Sequence, residues 1–362
     1  MNENNPTNDA PASRTPRTAD SAQAGAAAEA LPRGPLLVTG GAGYIGSHTV
    51  RALRRLGVET VVADDLSTGH AAAVGGEFER VDLGDLTALG ALFERTRPTA
   101  VVHFAARCYV GESVTDPAGY YKSNVQHTWN LLEAMRAVGC RDIVFSSTCA
   151  TYGEPQFIPL TEDHPQDPIS PYGRTKLHME HMLDDYARAY GLRFAALRYF
   201  NAAGAASDGS LGEVHQPETH LIPLALQVAL GQREELLIFG DDYDTPDGTC
   251  VRDYIHVEDL ADAHLRALVR LQGDTERIVV NLGTGDGYSV QQVIDSARRA
   301  TGHAIPARVV KRRPGDPPRL LSGGSRAAEV LGWRPGRSDL DTILIDAWNF
   351  MRAHPQGYAS AD

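Results

Sequence analysis

A tyrosine and a lysine four residues apart, Tyr172 and Lys176, are the residues whose types and spacing point most directly to chemistry. Lysine is scarce in this chain: Lys122, Lys176 and Lys311 are the only three among 34 basic residues. A phenol has an unperturbed pKa near 10, but a neighbouring ammonium favours the phenolate, and a shift of roughly 3 units corresponds to about 4 kcal/mol. The pair therefore predicts a base that takes a proton from a hydroxyl group. The alternative is an i, i+4 pair on a helix surface.

A helix start directly precedes this pair. Ser170 is a typical N-cap residue and Pro171 is typical of the first helical position. A helix that begins here carries Tyr172 and Lys176 on one face, about 6 Å apart along its axis.

Three hydroxyl-bearing residues, Ser146-Ser147-Thr148, follow an apolar run at Ile143 to Phe145 that predicts a strand. The carboxyl ends of parallel strands are where ligands bind in open α/β sheets. We predict that Thr148 hydrogen-bonds the reacting oxygen of a substrate and shares its proton with Tyr172. Taken alone, the three hydroxyls would indicate only a turn.

A glycine-rich turn joins the first predicted strand, Leu36 to Thr39, to a predicted helix at Tyr44 to Leu56. Its glycines can be read as Gly41-x-Gly43-x-x-Gly46 or as Gly40-x-x-Gly43-x-x-Gly46. Such a turn brings the backbone close to a pyrophosphate, and the helix N-terminus offers free N–H groups to the phosphates. This context predicts a dinucleotide site.

Acidic residues at the next two strand ends specify which dinucleotide is expected. Asp64 ends the second predicted strand, 18 residues beyond Gly46, where a carboxylate accepts hydrogen bonds from ribose hydroxyls. A 2′-phosphate would face Asp64 and Asp65 with no adjacent arginine, so NAD is preferred over NADP. Asp82, after the third strand, is predicted to receive the adenine amino group, and a helix N-cap is the equal alternative.

Strand-like and helix-like segments alternate through the first two hundred residues. Strands are predicted at Leu36 to Thr39, Val58 to Ala63, Phe78 to Val81, Ala100 to Phe104, Ile143 to Ser146 and Arg193 to Tyr199, and helices at Asp85 to Arg95 and Pro117 to Val138. This alternation predicts an α/β fold with a Rossmann-type doubly wound parallel sheet. Beyond it, a helix near Ile222 to Leu230 and short strands near Leu236 to Phe239 and Ile278 to Leu282 predict a smaller mixed α/β C-terminal substrate lobe.

The same pattern divides the chain into three parts. Residues 1 to 34 contain no Val, Ile, Phe, Tyr or Trp and are predicted to be a disordered tail. Residues 35–200 form the predicted dinucleotide-binding domain, and 201–362 form the substrate lobe, with segments that could cross back to the first domain.

Composition and charge exclude several classes of protein. A net charge of −12 over 362 residues, with no basic run longer than Lys311-Arg312-Arg313, argues against binding nucleic acid. No apolar stretch reaches the roughly 18–20 residues of a membrane helix, and no secretory signal is recognisable, so a cytoplasmic protein is expected. The four cysteines lack Cys-x-x-Cys spacing and are predicted to be free thiols. No metal site is expected, because His178-Met179-Glu180-His181 lacks the i, i+4 histidine pair.

The chain resembles the extended short-chain dehydrogenase/reductase family from about residue 35 to residue 358. The likeness rests on seven ordered blocks, which are more specific than any one of them. They are Val38 to His48, Val110-Gly111-Glu112-Ser113, Phe145-Ser146-Ser147-Thr148, Ser170-Pro171-Tyr172-Gly173 with Lys176, Arg198-Tyr199-Phe200-Asn201, Gly248 to Val257, and Arg312-Arg313-Pro314-Gly315-Asp316.

The resemblance implies tightly held NAD and reversible inversion at C4 of a UDP-hexose, interconverting UDP-glucose and UDP-galactose through a 4-keto sugar. Tyr172, Lys176 and Thr148 would be catalytic. The cofactor would be bound by Gly40, Gly43, Tyr44, Ile45, Gly46, Asp64, Asp82, Leu83, Phe104, Ala105, Asn124, Lys176 and Tyr199. The substrate would be bound by Thr148, Tyr172, Asn201, His220, Leu221, Arg252, Arg313 and Asp316. The family likeness also suggests a homodimer.

Charge supports part of this assignment. A diphosphate in a chain of net charge −12 needs local cations, and Arg252 and Arg313 can supply them by bidentate hydrogen bonding. The alternative for both arginines is an ion pair with Asp253 or Asp316.

Two rival functions are weighed against this one. A nucleotide-sugar 4,6-dehydratase would be expected to carry Asp-Glu after the strand threonine, whereas Cys149-Ala150 follows Thr148 here. A non-catalytic NAD-sensing module would have no need for Tyr172 with Lys176. The chain also departs from the family pattern at Cys108, which occupies a place where some members carry a lysine near the nicotinamide ribose.

Overall fold

The computed structural model describes residues 30–313, 315–323 and 325–359. Most of the predicted disordered tail, residues 1–29, therefore lies outside the described residues. Leu31, which was also predicted to belong to that tail, is only 4% exposed and packs in the core below the main sheet. The ordered chain thus begins before residue 34, because this leucine side chain is buried.

A seven-stranded sheet organises the first half of the chain, and all its neighbouring strands run parallel. The strand order is β11-β6-β5-β4-β1-β2-β3. Its members are β1 Leu36–Thr39, β2 Thr60–Asp64, β3 Glu79–Arg80, β4 Ala100–His103, β5 Asp142–Thr148, β6 Arg193–Tyr199 and β11 Arg277–Leu282. The order reverses at β1, where strands continue outward on both sides, and this is the topology of a doubly wound sheet. The predicted fold class is confirmed.

The helices cover both faces of this sheet and build the second lobe. They are α1 Tyr44–Arg55, α2 Ala71–Val74, α3 Leu86–Thr96, α4 Val110–Thr115, α5 Pro117–Tyr120, α6 His127–Val138, α7 Pro171–Tyr190, α8 Leu221–Ala229, α9 Val257–Leu271, α10 Val290–Thr301, α11 Ser325–Leu331 and α12 Leu340–Ala353. None of the described helices combines the length and apolar composition that crossing a bilayer requires.

Alternate residues of each strand supply two separate cores, because successive side chains of a strand point to opposite faces. Leu36 and Val38 of β1 pack with α1 and α9 on one face. Leu37 packs with α3, α6 and α7 on the other. A sheet buried on both faces explains why its strands read as continuous apolar runs.

The remaining strands form three small sheets beyond the large one. They are β7 Asn201–Ala203 with β10 Tyr254–His256, β8 Leu236–Phe239 with β13 Ala307–Val310, and β9 Val251–Arg252 between β12 Tyr288–Ser289 and β14 Arg319–Leu320. A third core of α8, α10 and α12 lies beneath them. The expected mixed α/β lobe is therefore present.

The chain returns from this lobe to the first sheet. β11 pairs in parallel with β6 along its whole length, from Arg277 beside Phe194 to Leu282 beside Tyr199. α9, which precedes it, contributes Leu260, Ala263 and Ala267 to the core shared with β1 and α1. The outer strand of the dinucleotide-type sheet thus comes from sequence far beyond residue 200.

Most predicted boundaries differ from the observed ones by one or two residues, and two differences bear on the site. The strand predicted at Ile143 to Ser146 continues to Thr148, because Ser146, Ser147 and Thr148 pair with the equally long β6. The helix predicted from Pro117 to Val138 is helical over that range but contains a π-helical segment, Tyr121–Gln126. π-helical segments of this kind are frequent at functional sites.

Candidate active site

The turn between β1 and α1 is built on glycines that no larger residue could replace without moving the backbone. Gly40 has φ +71°, and a Cβ there would lie 2.5 Å from the backbone nitrogen of Ala105. A Cβ on Gly46 would lie 2.2 Å from the carbonyl oxygen of Gly40. Both glycines are therefore needed for the close approach of the turn to α1 and to the end of β4.

The N-terminus of α1 has no side-chain cap among the described residues, since its N-cap is Gly43. The first-turn N–H groups, beginning with Tyr44 and Ile45, have no intrahelical acceptor, and the helix dipole adds positive potential in front of them. This is the arrangement that a pyrophosphate group requires. The turn therefore fits the phosphates of a dinucleotide.

Substitution of Gly46 by alanine is expected to lower the affinity for NAD at least ~10-fold, because the Cβ must displace the Gly40 carbonyl and strain of this kind amounts to roughly 1–3 kcal/mol. Equilibrium binding of NAD to the purified variant measures the effect. Gly90→Ala is the matched control: Gly90 lies inside α3 and a Cβ there meets no atom within 4 Å. Equal NAD affinity in the two variants would refute the role given to Gly46.

Asp64, at the end of β2, connects the turn to the second strand. Its Oδ2 accepts a hydrogen bond from Ala42 N at 2.9 Å, and its Oδ1 accepts one from Leu66 N at 2.9 Å. Burial raises the pKa of the carboxyl, and the two backbone hydrogen bonds oppose that shift. Each carboxylate oxygen keeps a lone pair free, so the geometry allows ribose hydroxyls to bind there as predicted.

Asp82 and Leu83 lie just beyond β3. Asp82 Oδ1 accepts a hydrogen bond from Gly84 N at 2.7 Å, and its side chain is 59% exposed. The N-cap of α3 is Asp85, which accepts from Thr87 N and Ala88 N, so the capping alternative considered for Asp82 is wrong. Leu83 is buried, and its carbonyl accepts a hydrogen bond from Asn130 Nδ2 at 2.8 Å. An exposed Asp82 carboxylate beside a buried Leu83 suits an adenine edge.

Phe104 and Ala105 continue the backbone from β4 beside the glycine turn. Their N–H groups both donate to Thr39 O, at 2.9 and 3.2 Å. The Phe104 ring also packs on His264 of α9, with 4.7 Å between ring centres. Both residues thus border the turn, where the sequence predicted them.

Asn124, in the π-helical segment, is fully buried, and its side-chain amide forms hydrogen bonds with other residues of the protein. Its Oδ1 accepts from Arg107 N at 2.9 Å, and its Nδ2 donates to Arg107 O and Thr175 Oγ1, both at 3.0 Å. Asn124 therefore ties the loop after β4 to α7, and a cofactor contact through its side-chain amide would have to share these bonds.

Tyr172 and Lys176 lie on α7, whose start matches the prediction. Ser170 Oγ accepts from Gly173 N at 3.1 Å as the N-cap, and Pro171 opens the helix. Tyr172 is partly buried, and the Thr148 hydroxyl at the end of β5 is close enough to the phenol to lower its pKa. The three predicted catalytic residues are therefore neighbours or share one helix.

The Lys176 ammonium points toward β5. Its Nζ donates to Ser146 O at 2.9 Å and lies 5.0 Å from the centre of the Phe145 ring. The side chain is 2% exposed, and burial lowers its pKa to about 8, although Cys108 and Glu180 oppose the shift. A buried, mostly protonated lysine at this strand end is not part of a pair on the helix surface. The alternative of an exposed i, i+4 pair for Tyr172 and Lys176 is therefore wrong.

Burial is the largest influence on the pKa of Tyr172. Burial raises it well above 10, the nearby Cys108 thiol adds to the shift, and the hydrogen bond with Thr148 opposes it. Desolvation of the phenolate therefore outweighs any help from Lys176 in the protein alone. A positive charge brought by a ligand would oppose this effect of burial by favouring the phenolate.

Tyr199, predicted to contact the cofactor, ends β6 and hydrogen-bonds the Ser146 hydroxyl. The Ser146 hydroxyl therefore hydrogen-bonds Tyr199, and the Ser146 carbonyl oxygen accepts a hydrogen bond from Lys176. These bonds hold the two side chains at the same edge of the sheet.

Apart from Thr148 and Tyr172, the predicted substrate residues belong to the second lobe. Asn201 begins β7, and its Nδ2 donates to Asp253 O at 3.0 Å. Arg252 forms an ion pair with Asp316 and donates a hydrogen bond to Val251 O at 2.8 Å. The ion pair considered as the alternative role of Arg252 is therefore present. It does not exclude a ligand, because a guanidinium has five N–H donors. Arg313 makes no ion pair in the part of the chain that is described, and its guanidinium lies 3.8 Å from the Phe239 ring centre.

His220 is the N-cap residue of α8, and Leu221 is the first residue of that helix. His220 Nδ1 lies 2.7 Å from Glu213 Oε1 and 3.0 Å from Glu218 Oε1. Together with His215, these residues form a cluster whose four ligand-type atoms all lie within 4.8 Å of one another. Sequence reasoning missed it, although Glu-x-His-x-x-Glu-x-His at 213–220 was a visible signal.

A buried polar network behind the site was also missed. Arg198 of β6 pairs with Glu180 of α7, and its Nη1 donates to Tyr152 OH at 2.9 Å. Tyr152 in turn donates to Asn281 Oδ1 of β11 at 2.6 Å. The network joins α7 to the strands, and nothing in the spacing of its members could have signalled it.

Comparison with known proteins agrees with this geometry. The NAD dependent epimerase/dehydratase family model matches residues 36–283. The chain is similar to the UDP-glucose 4-epimerase of Halalkalibacterium halodurans, with 50% identity over 326 residues, 90% of this chain and 98% of that one. The Streptomyces lividans UDP-glucose 4-epimerase is also 50% identical over 328 residues, again 90% and 98%.

Solved structures show the same likeness. The UDP-glucose 4-epimerase from Brucella ovis in complex with NAD has a TM-score of 0.86 and 53% identity, covering 88% of this chain and 98% of that chain. The Bifidobacterium longum enzyme in complex with NAD⁺ and UDP has a TM-score of 0.84 and 37% identity, covering 90% and 100%.

Proposed function

The chain belongs to the NAD dependent epimerase/dehydratase family, and from that membership we propose that it interconverts UDP-glucose and UDP-galactose with NAD as its cofactor. The observation that carries the proposal is the meeting of Tyr172, Thr148 and Lys176 at the end of β5, next to an uncapped glycine turn. Relatives about 50% identical over nine-tenths of the chain carry the same activity in their names.

Within this reaction Tyr172 exchanges a proton with the sugar hydroxyl. The Thr148 hydroxyl, which lies near the Tyr172 phenol, would hydrogen-bond the same sugar oxygen. When bound, NAD would supply the ring that can take up the hydride of the sugar C4 and give it back, and Tyr172 would move the accompanying proton. Lys176 holds a positive charge in a site from which water is largely excluded, where it favours the phenolate.

Binding is divided between the two parts of the chain. We propose that residues 35–200, completed by the returning segment α9 and β11, hold NAD, and that the lobe from residue 201 holds the UDP group. Gly40, Gly43 and Gly46 would accommodate the pyrophosphate, and Asp64 the adenosine ribose. Arg252 and Arg313 are the cations assigned to the UDP diphosphate, with Asn201, Leu221 and Asp316 beside them.

A 4,6-dehydratase is the nearest rival within the family. Loss of water from the sugar needs an acid or base beside the strand threonine, and Cys149 and Ala150 occupy that place. Burial raises the pKa of the Cys149 thiol to about 12, so this group holds its proton at neutral pH. This argues against dehydration.

One assay tests the proposal. The purified protein is incubated with UDP-galactose without added reductant, and the sugar product is identified. Formation of UDP-glucose is expected. A 4-keto-6-deoxy product would favour the dehydratase, and NAD binding without turnover would favour a sensing module.

We also propose that the protein forms a homodimer in the cytoplasm, a conclusion that rests on family likeness. Tyr121 and Trp129, 39% and 47% exposed, line one shallow depression, and Val114 on α4 is 64% exposed; exposed apolar side chains of this kind suit a protein interface. All four cysteines are free thiols, as suits a reducing compartment.

Trp129→Asp is expected to convert the dimer into a monomer, because it places a charge in the proposed apolar interface. Sedimentation velocity at micromolar concentration measures the change. Ile345→Asp, at a 46% exposed position on α12 of the other lobe, is the control and should stay dimeric. A monomeric wild type would rule out the proposed assembly.

A further inference from the structure

Four potential metal ligands converge in the segment that leads into α8. Glu213, His215, Glu218 and His220 each offer one atom, and all four atoms lie within 4.8 Å of one another. His215 Nδ1 and His220 Nδ1 lie 3.0 and 2.7 Å from the same oxygen, Glu213 Oε1. His215 Nδ1 is also 3.8 Å from Glu218 Oε2.

The two carboxylates of this cluster are buried without a permanent cation. The side chains of Glu213 and Glu218 are only 7% and 6% exposed. Within the described residues no lysine or arginine pairs with either, so the two histidines supply the nearby positive charge. Buried charges are normally paired or coordinate a metal, and once both imidazoles release their protons to bind an ion, the two carboxylates leave a charge of −2 that a divalent cation would balance.

His215 provides a second, independent indication. Its Nδ1 is buried and forms no hydrogen bond, although it points among the carboxylate oxygens. The Tyr109 and Tyr44 rings meet the His215 ring edge-on, at 5.7 and 6.4 Å between ring centres, and hold its orientation. A buried ring nitrogen that faces two carboxylates without the geometry of a hydrogen bond to either is an available metal ligand.

We propose that Glu213, His215, Glu218 and His220 bind one divalent transition-metal ion of the zinc type. Two imidazole nitrogens and two carboxylate oxygens are a donor set that Zn²⁺ accepts in tetrahedral geometry. Metal–ligand bonds of about 2.0–2.2 Å place tetrahedral ligand atoms roughly 3.3 Å apart. The four atoms here lie within 4.8 Å of one another, so the longest separations would have to shorten by up to about 1.5 Å when the ion binds.

The ion would fix a segment that touches both halves of the molecule. On one side His215 packs against Tyr44 of α1 and against Tyr109, next to the exposed thiol of Cys108. On the other side His220 begins α8. The ion is therefore assigned a positioning role, holding residues 213–220 between the cofactor turn and the lobe.

Metal content and Zn²⁺ titration test this site directly. The full-length, NAD-loaded protein, free of any histidine tag, is treated with a chelator and titrated with Zn²⁺ in a calorimeter. One Zn²⁺ per chain is expected, and Co²⁺ in its place should give the visible absorption of a tetrahedral site. His215→Ala and Glu218→Gln should each raise the Kd at least ~100-fold, since the loss of a supporting residue alone weakens a site by up to that amount.

Two controls separate this site from other ligands. His178→Ala, at an exposed position on α7, should bind Zn²⁺ as the wild type does. Cys108→Ser should also retain the site; loss of binding in that variant would overturn the four-ligand assignment. Absence of stoichiometric Zn²⁺ in the wild type, or equal affinity in the ligand variants, would overturn the proposal. These readouts do not depend on turnover, so a failure of the proposed metal site can be distinguished from a failure of the proposed activity.

Discussion

Replacing Tyr172 with phenylalanine is expected to lower the turnover of UDP-galactose at least ~100-fold, the low end for loss of an acid–base group. The variant removes only the hydroxyl that faces the end of β5 near Thr148, and the ring keeps its place on α7. NAD binding and the unfolding midpoint should change little. Single-turnover and steady-state rates on the NAD-loaded protein measure the effect.

Tyr190→Phe is the matched control for this experiment. Tyr190 ends the same helix, is 55% exposed, and loses the same hydroxyl without touching the site. Its turnover should equal that of the wild type. Near-normal turnover in Tyr172→Phe would remove Tyr172 from the chemistry and leave the site without a base.

Lys176→Met is expected to reduce turnover by about 100-fold, the size of effect seen when one preorganised electrostatic donor is removed. Methionine fills a similar volume, so the loss reports the ammonium and its bond to Ser146 O. Turnover and NAD affinity are measured together, since Lys176 is also a predicted cofactor ligand. Turnover within a few-fold of the wild type would show that the charge is not used.

The wild type and Lys176→Met are also expected to differ in how their stability changes with pH. Burial lowers the pKa of Lys176 from 10.5 to about 8, so the folded protein loses this proton before the unfolded chain does. Between these two values the unfolded chain holds more protons, and the free energy of unfolding of the wild type therefore rises with pH relative to Lys176→Met. The full shift in the pKa of Lys176 corresponds to roughly 3 kcal/mol in the free energy of unfolding, and below pH 8 the wild type is destabilised by this whole amount.

Urea unfolding of the cofactor-free proteins at about pH 7 and about pH 10 measures this difference. The orphaned Ser146 carbonyl in the variant lowers its stability at both pH values, so only the change with pH is diagnostic. Parallel pH profiles would mean that Lys176 is not desolvated in the folded protein.

Local signals in the sequence predicted much of the fold. β1, β6 and β8 have the predicted limits, because each is an apolar run between residues that form turns or helix caps. The start of α7 was also predictable, since Ser170 and Pro171 act within one turn of the chain. These features depend on neighbours in sequence, which is why they could be read without the structure.

Features that depend on distant partners could not be predicted in the same way. β11 was expected near Ile278 to Leu282, but its place beside β6 is decided by packing across eighty residues of chain. The direction of the Lys176 side chain depends on the Ser146 carbonyl, which the extension of β5 presents. The pKa of Tyr172 depends on burial, which residue spacing does not reveal.

The return of the chain to its first sheet limits how this protein can be divided or recombined. A fragment ending at Tyr199 would leave the hydrogen-bonding edge of β6 bare, and bare strand edges favour aggregation. Exchange of the sugar-recognising part between relatives would therefore need two junctions, one before α9 and one after β11. A single crossover would separate a strand from the sheet it completes.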